Sequence, residues 1–280
     1  MTNQALRALK SCRIGLTGLA TAITMTTTPA QAAGDLLVAP TRVVLDGDRG
    51  TEVILNNIGS ETATYRISLE LRRMTADGRL EEVSEDQANA MEQAAKAMIR
   101  YAPRRVTLPP NQPQAIRLGV RAPEGLADGE YRVHLLFRAI PEARSVTDQA
   151  VPEGGFTIAL TPIYGVTIPI IVRYGNLQAT AAIANGRMET DANGQSFAFD
   201  LSRSGDRSTY GEIRITKPGL AEPVMVARGI AVYPEVAKRT VSLPVPPDIA
   251  AQLNGAVTVA YYESANDGGA LIAKTDMTIR

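Results

Sequence analysis

The sequence predicts an all-β protein built as two sandwich domains in tandem, and three observations carry that expectation. Short runs of alternating apolar and polar residues recur from Leu36 to Ile279, and turn residues separate them. The composition, with 23 Gly, 17 Pro and no Trp in 280 residues, suits many short strands joined by turns and argues against a helical bundle. One unusually long run, Phe156 to Val172, followed by Gly175-Asn176, divides the strands into two sets.

Ahead of the first strand, Arg7, Lys10 and Arg13 lead into an apolar stretch from Ile14 to Met25 and then small residues ending Ala30-Gln31-Ala32. That order predicts a cleaved secretory signal peptide over residues 1–32 and a mature start at Ala33. The stretch is shorter than the ~20 residues of a membrane helix, and no later segment approaches that length, so no membrane span is expected in the mature chain. Cys12 is the only cysteine and falls inside the leader, so the exported chain is expected to hold together by its cores alone.

The first set of strands begins with Leu36 to Leu45 and a turn at Gly47-Asp48-Arg49-Gly50, followed by Thr51 to Asn57. In Thr64 to Arg72, Tyr65, Ile67, Leu69 and Leu71 alternate with Arg66, Ser68, Glu70 and Arg72, which predicts one buried and one wet face. Glu85 to Met98 is rich in Ala, Glu and Gln and reads as a short surface helix or a mobile insertion. Strands resume at Ile99 to Ala102, Val106 to Leu108, Gln114 to Val120 and Glu130 to Ile140. Roughly seven strands is the count of an immunoglobulin-like sandwich, assigned here to residues 33–174. After Gly175 a second β-sandwich over 175–280 is read from Leu177 to Ile183, Ser196 to Ser202, Glu212 to Thr216, Val224 to Val232, Arg239 to Leu243, Gly255 to Tyr262 and Leu271 to Ile279.

Counting excludes much chemistry. Lys plus Arg and Asp plus Glu balance at 29 each, with no basic run, so nucleic acid is not an expected partner. His134 is the only histidine, and it lies on the polar-facing parity of its strand with Arg132 and Arg138, which reads as a structural or surface residue. With no thiol in the mature chain, zinc and copper sites are out of reach, and no nucleophile elbow accompanies the histidine. Glu81-Glu82 and Glu85-Asp86 fall in or beside the insertion as solvated charge. Asp191-Ala192-Asn193-Gly194 is too short for a calcium loop and reads as a hairpin turn. No catalytic residue, metal or cofactor is expected.

What remains is the long run. Phe156, Ile158, Leu160, Pro162, Tyr164, Val166, Ile168, Ile170 and Val172 occupy its even positions, and no charged residue interrupts it. Proline gives no ladder N–H, and Pro162 and Pro169 have opposite parity, so unless Gly165 marks a bulge each side of the strand meets one proline. Part of the strand is therefore expected at an edge. Soluble proteins blunt such edges with charge, and an apolar edge without it is suited to pairing with a partner strand.

The order of motifs resembles the periplasmic pilus-assembly chaperones of the chaperone–usher pathway. The matching pieces are Pro40 to Gly47, Arg104 to Leu118, Glu130 to Pro141, and the long strand ending Ile168-Pro169-Ile170-Ile171-Val172-Arg173. The resemblance implies two immunoglobulin-like domains and a strand that completes the sandwich of a pilus or fimbrial subunit, with Ile158, Leu160, Pro162 and Tyr164 filling the subunit's open core. It implies that Arg42 anchors the subunit's terminal carboxylate, and that Glu130 and Arg173 form an interdomain salt bridge. The family's third member of that bridge, an aspartate, has no evident counterpart, and its second carboxylate-binding residue, a lysine, falls on Pro169. Subunits and an outer-membrane usher are the implied partners, in the periplasm. A rival reading of the same edge is an exported structural or adhesive protein that self-associates. A hydrolase or metalloenzyme is disfavoured by the His and Cys counts.

Overall fold

The computed structural model describes residues 36–46, 50–141, 163–192, 194–265 and 268–279. The expected leader, the turn residues 47–49 and the stretch 142–162, which includes Ile158, Leu160 and Pro162, lie outside the described residues.

The first sandwich comprises β1 (Leu36–Ala39), β2 (Val43–Asp46), β3 (Thr51–Asn57), β4 (Ala63–Met74), β5 (Leu80–Val83), α1 (Ala90–Met98), β6 (Ile99–Ala102), β7 (Arg105–Leu108), β8 (Pro113–Val120), β9 (Gly129–Ile140) and β10 (Gly165–Tyr174). One sheet runs β1-β3-β8-β6 and the other β2-β10-β9-β4-β5, with β7 paired to β4. That is immunoglobulin-like topology with the first strand shared between the sheets. The second sandwich comprises β11 (Ala179–Asp191), β12 (Gly194–Gly205), β13 (Thr209–Thr216), β14 (Met225–Val232), β15 (Lys238–Pro244), α2 (Pro247–Leu253), β16 (Gly255–Glu263) and β17 (Leu271–Ile279). Its sheets run β11-β12-β15 and β14-β13-β16-β17.

Where the sequence suggests one strand from Leu36 to Leu45, the chain changes sheet. Pro40 supplies no ladder donor, and the buried parity flips across Pro40-Thr41-Arg42, from Val38 before the break to Val43 and Leu45 after it. The charged insertion is helical at α1. Its Asn89 and Glu92 form a reciprocal capping box, Arg73 grips Glu92 through two nitrogens at 2.6 Å, and Ala95 and Met98 are buried. Helix α2 was not expected from the sequence. Asp191 pairs with Gly194 at the end of the β11–β12 ladder.

Each sandwich has its own core. Leu55, Ile116, Leu135, Phe137 and Ile170 fill the first, and Phe197, Phe199, Ile213, Ile215 and Tyr261 the second. Burying each such side chain contributes roughly 1.5–3 kcal/mol. A smaller third cluster, Met74 and Ile171 from the first sandwich with Ala231 and Tyr233 from the second, joins them. Ala33–Arg280 accordingly forms one compact unit.

Candidate functional site

Strand β10 is covered on its two sides to different extents. On one side β9 pairs with it in unbroken antiparallel register from Gly165 opposite Arg138 to Tyr174 opposite Gly129. On the other, β2 runs parallel and covers only Ile170 to Arg173, with Val43 opposite Ile170. Among the described residues, nothing pairs with Gly165 to Pro169 on that second side.

The parity of the strand follows from one hydrogen bond. Ala139 N–H donates to the Tyr164 carbonyl at 2.9 Å, so even residues aim their main-chain groups at β9 and odd residues aim theirs at the opposite side. Pro169 is odd, and its missing N–H costs the β9 ladder nothing. The register shows no shift at Gly165, so no bulge resets the parity within the described strand. The side chains of Ile168, Ile170 and Val172 point into the core, whereas Ile163 and Tyr164, just before the strand, are each 49% exposed. Of the four residues expected to fill a partner's core, Tyr164 alone is described.

The outer face of this sheet meets the second sandwich. Arg173 Nε lies 3.2 Å from Glu130 Oε2, and the same oxygen accepts from Ser208 N–H at 3.0 Å and from the Ser208 hydroxyl at 2.8 Å. The Glu130 side chain is fully buried. The second sandwich thus contributes to this joint a serine offering two donors. Arg203 holds the loop that presents Ser208, donating to the carbonyls of Gly205 and Arg207 at 2.8 and 2.9 Å and of Pro234 at 3.1 Å.

A second latch, not anticipated from the sequence, joins Arg132 to Glu235. Arg132 donates to both carboxylate oxygens, Nη1 to Oε2 at 3.1 Å and Nη2 to Oε1, and its guanidinium stacks 3.7 Å above the Tyr233 ring. Glu235 Oε1 also accepts from Met74 N–H at 2.8 Å. The β4–β5 turn reaches across as well, its Ala76 carbonyl accepting from Thr240 N–H at 2.8 Å.

Next to these latches is a cavity of about 280 Å³ lined by Arg42, Pro169 and Met74 from the first sandwich and Tyr210, Tyr233 and Arg239 from the second. The Arg42 guanidinium sits 4.3 Å above the Tyr210 ring. His134, across the ladder from Pro169 on one side and Glu70 on the other, is fully buried. Its pKa is lowered to about 3, first by burial and then by the positive charges of Arg132 and Arg72, so it is neutral at physiological pH. Among the described residues, no helix is long and apolar enough to cross a membrane.

No family model matches the chain, and no curated protein does. Solved structures do resemble it. The E. coli chaperone DraB is 14% identical, with a TM-score of 0.46, over 88% of this chain and 97% of that one. The Salmonella enterica chaperone SafB, solved in complex with SafA pilin, is represented by a match of 14% identity and TM-score 0.45, over 88% and 96% of the two chains. The Pseudomonas aeruginosa chaperone CupB2 is 13% identical, with a TM-score of 0.43, over 87% and 100%.

Proposed function

We propose that this protein is a periplasmic chaperone that binds pilus or fimbrial subunits by lending them the strand that runs into β10, and passes them to an outer-membrane usher without catalysing covalent chemistry. The observation that carries the reading is the half-covered β10: the side of Gly165 to Pro169 that no described residue pairs lies within an apolar run that has no charge to blunt it. A subunit strand added there would gain main-chain bonds from odd residues. Even side chains preceding the strand, Ile158, Leu160, Pro162 and Tyr164, would enter the subunit's open core.

The same edge has a defined stop. A strand pairing with Gly165 to Pro169 runs up against β2, which takes over opposite Ile170, and Arg42 immediately precedes β2. A chain that terminates at this stop brings its end group to a guanidinium, which favours a terminal carboxylate over an ammonium. Arg42 is the anchor in this reading, and Glu130 with Arg173 fixes the joint between the sandwiches.

The test is co-expression of the mature chain with the fimbrial-type subunits encoded in its own genome, followed by purification of soluble complexes. The parent captures subunit, Leu160→Asp does not, and Arg42→Ala captures less. If no subunit is kept soluble, or Leu160→Asp captures as well as the parent, the edge serves self-association instead.

A further inference from the structure

The cavity at the stop contains a second cation, from the other sandwich. Arg239 leaves β15 and reaches the cavity lined by Arg42 and Pro169, and among the described residues no carboxylate lines it. Its Nη1 donates to the Ala231 carbonyl at 2.6 Å, whereas its buried Nε has no hydrogen-bond partner among the described residues. A buried guanidinium N–H left unpaired is costly, and an anion is the ligand that removes the cost. Burial also pushes the Arg239 guanidinium below its ordinary pKa, with the opposing pull of Tyr261, Tyr233 and Asp77 smaller. Asp77 is otherwise engaged, bonded to Thr75 and paired with Arg79 at 2.7 Å.

The approach is built into the fold. Gly78, in the β4–β5 turn of the first sandwich, has φ of +83°, and a Cβ there would fall 2.0 Å from Arg239 Nε. Only a glycine both adopts that turn and leaves room for the guanidinium. The Ala76 carbonyl two residues earlier fixes the backbone of Thr240, next to Arg239, at 2.8 Å.

We infer that Arg239 is the second cation of a carboxylate site whose first is Arg42, so that the terminal carboxylate of a chain added to β10 is held from both sandwiches at once. The inference rests on the strand-lending reading for the identity of the carboxylate. It explains how the site can do without a basic residue at Pro169, and it makes subunit binding dependent on the angle between the sandwiches.

The test uses N-acetylglycine as a minimal peptide carboxylate and N-acetylglycinamide as its uncharged control, titrated into the mature protein and followed by NMR of the arginine Nε–Hε groups. Saturable shifts at Arg42 and Arg239 with the carboxylate alone, at least fivefold weaker binding in Arg239→Gln, and recovery in Arg239→Lys are expected. Thermal unfolding of each variant shows whether it is folded. No saturable binding by the parent, or unchanged binding by a folded Arg239→Gln, overturns the inference. The subunit arm repeats the comparison with a subunit whose C-terminus is extended by two glycines. Arg239→Gln should weaken capture of the native subunit severalfold and add nothing to the loss caused by the extension; equal losses on both subunits would make Arg239 a structural residue and overturn the inference. Failure of the strand-lending reading is distinct: N-acetylglycine still binds through Arg42 and Arg239 while Leu160→Asp leaves subunit capture unaltered.

Discussion

Ser208 gives both its main-chain N–H and its hydroxyl to a single oxygen of Glu130, at 3.0 and 2.8 Å, and Arg173 approaches the same oxygen at 3.2 Å. A buried carboxylate is stable in such a place only with several donors, and these come from both sandwiches. Glu130→Ala should therefore lower unfolding stability by about 2–4 kcal/mol, because it leaves Arg173 and both Ser208 donors without their acceptor. Ser208→Ala, which removes the hydroxyl alone, should cost about 1–2 kcal/mol. Urea titrations of the two variants give the comparison, and equal losses would place the weight of the joint elsewhere.

The Arg132–Glu235 pair acts on the same joint from the same face of the sheet, two residues along β9 from Glu130. Glu235→Ala withdraws the acceptor from Arg132 and from Met74 N–H but leaves both cores untouched. Its expected effect is a wider spread of sandwich angles in small-angle scattering, with both cores still folded. A scattering profile identical to the parent's would mean that the Met74, Ile171, Ala231 and Tyr233 contacts suffice alone.

Strand parity makes neighbouring proline substitutions unequal. The Val166 N–H faces β9, so Val166→Pro breaks a ladder bond and should destabilise the first sandwich by about 2 kcal/mol or more. The Thr167 N–H faces the free side, so Thr167→Pro should cost the fold less while reducing subunit capture at least tenfold. Thermal unfolding and co-purification of the two variants separate the effects.

The buried His134 gives the fold a pH dependence of known sign. Its folded pKa, about 3, lies below its ordinary 6.5, so the folded state binds fewer protons than the unfolded chain between those values. Its contribution is fully present above pH 6.5 and is lost as pH falls toward 3, at no more than about 1.4 kcal/mol per pH unit. Relative to its own stability at pH 7, the parent at pH 5 should have lost up to about 2 kcal/mol more than His134→Leu does. Parallel pH profiles for the two proteins would show that the histidine is not titrating this way.

Much of this architecture could be read from period-two patterning, because a half-buried strand must alternate whatever its neighbours do. Tyr65 and Ile67 in β4 and Tyr131 to Phe137 in β9 announced their faces in this way. The sheet change at Pro40 was also written in the chain, as the jump from even to odd buried positions between Val38 and Val43, but it is legible only once Pro40 is taken as a break. His134 lies on the expected parity yet is buried, because that face of the sheet is covered, and a strand pattern cannot state what packs on its wet side. Ser208, Glu235 and Arg239 left no sequence signal. Each acts across the joint, and a serine in a turn or an arginine in a strand looks the same whether it meets water or a second sandwich.

The most direct measurement of the central claim is amide hydrogen exchange, resolved by residue along β10, in the free protein and in its complex with a subunit. The account predicts that Val166 and Ile168, bonded to β9, are protected in both states, and that Gly165 and Thr167 exchange freely alone and gain at least tenfold protection in the complex. Unchanged exchange at Gly165 and Thr167 in a soluble subunit complex would contradict it, since the subunit would then be held by some surface other than the free edge of β10.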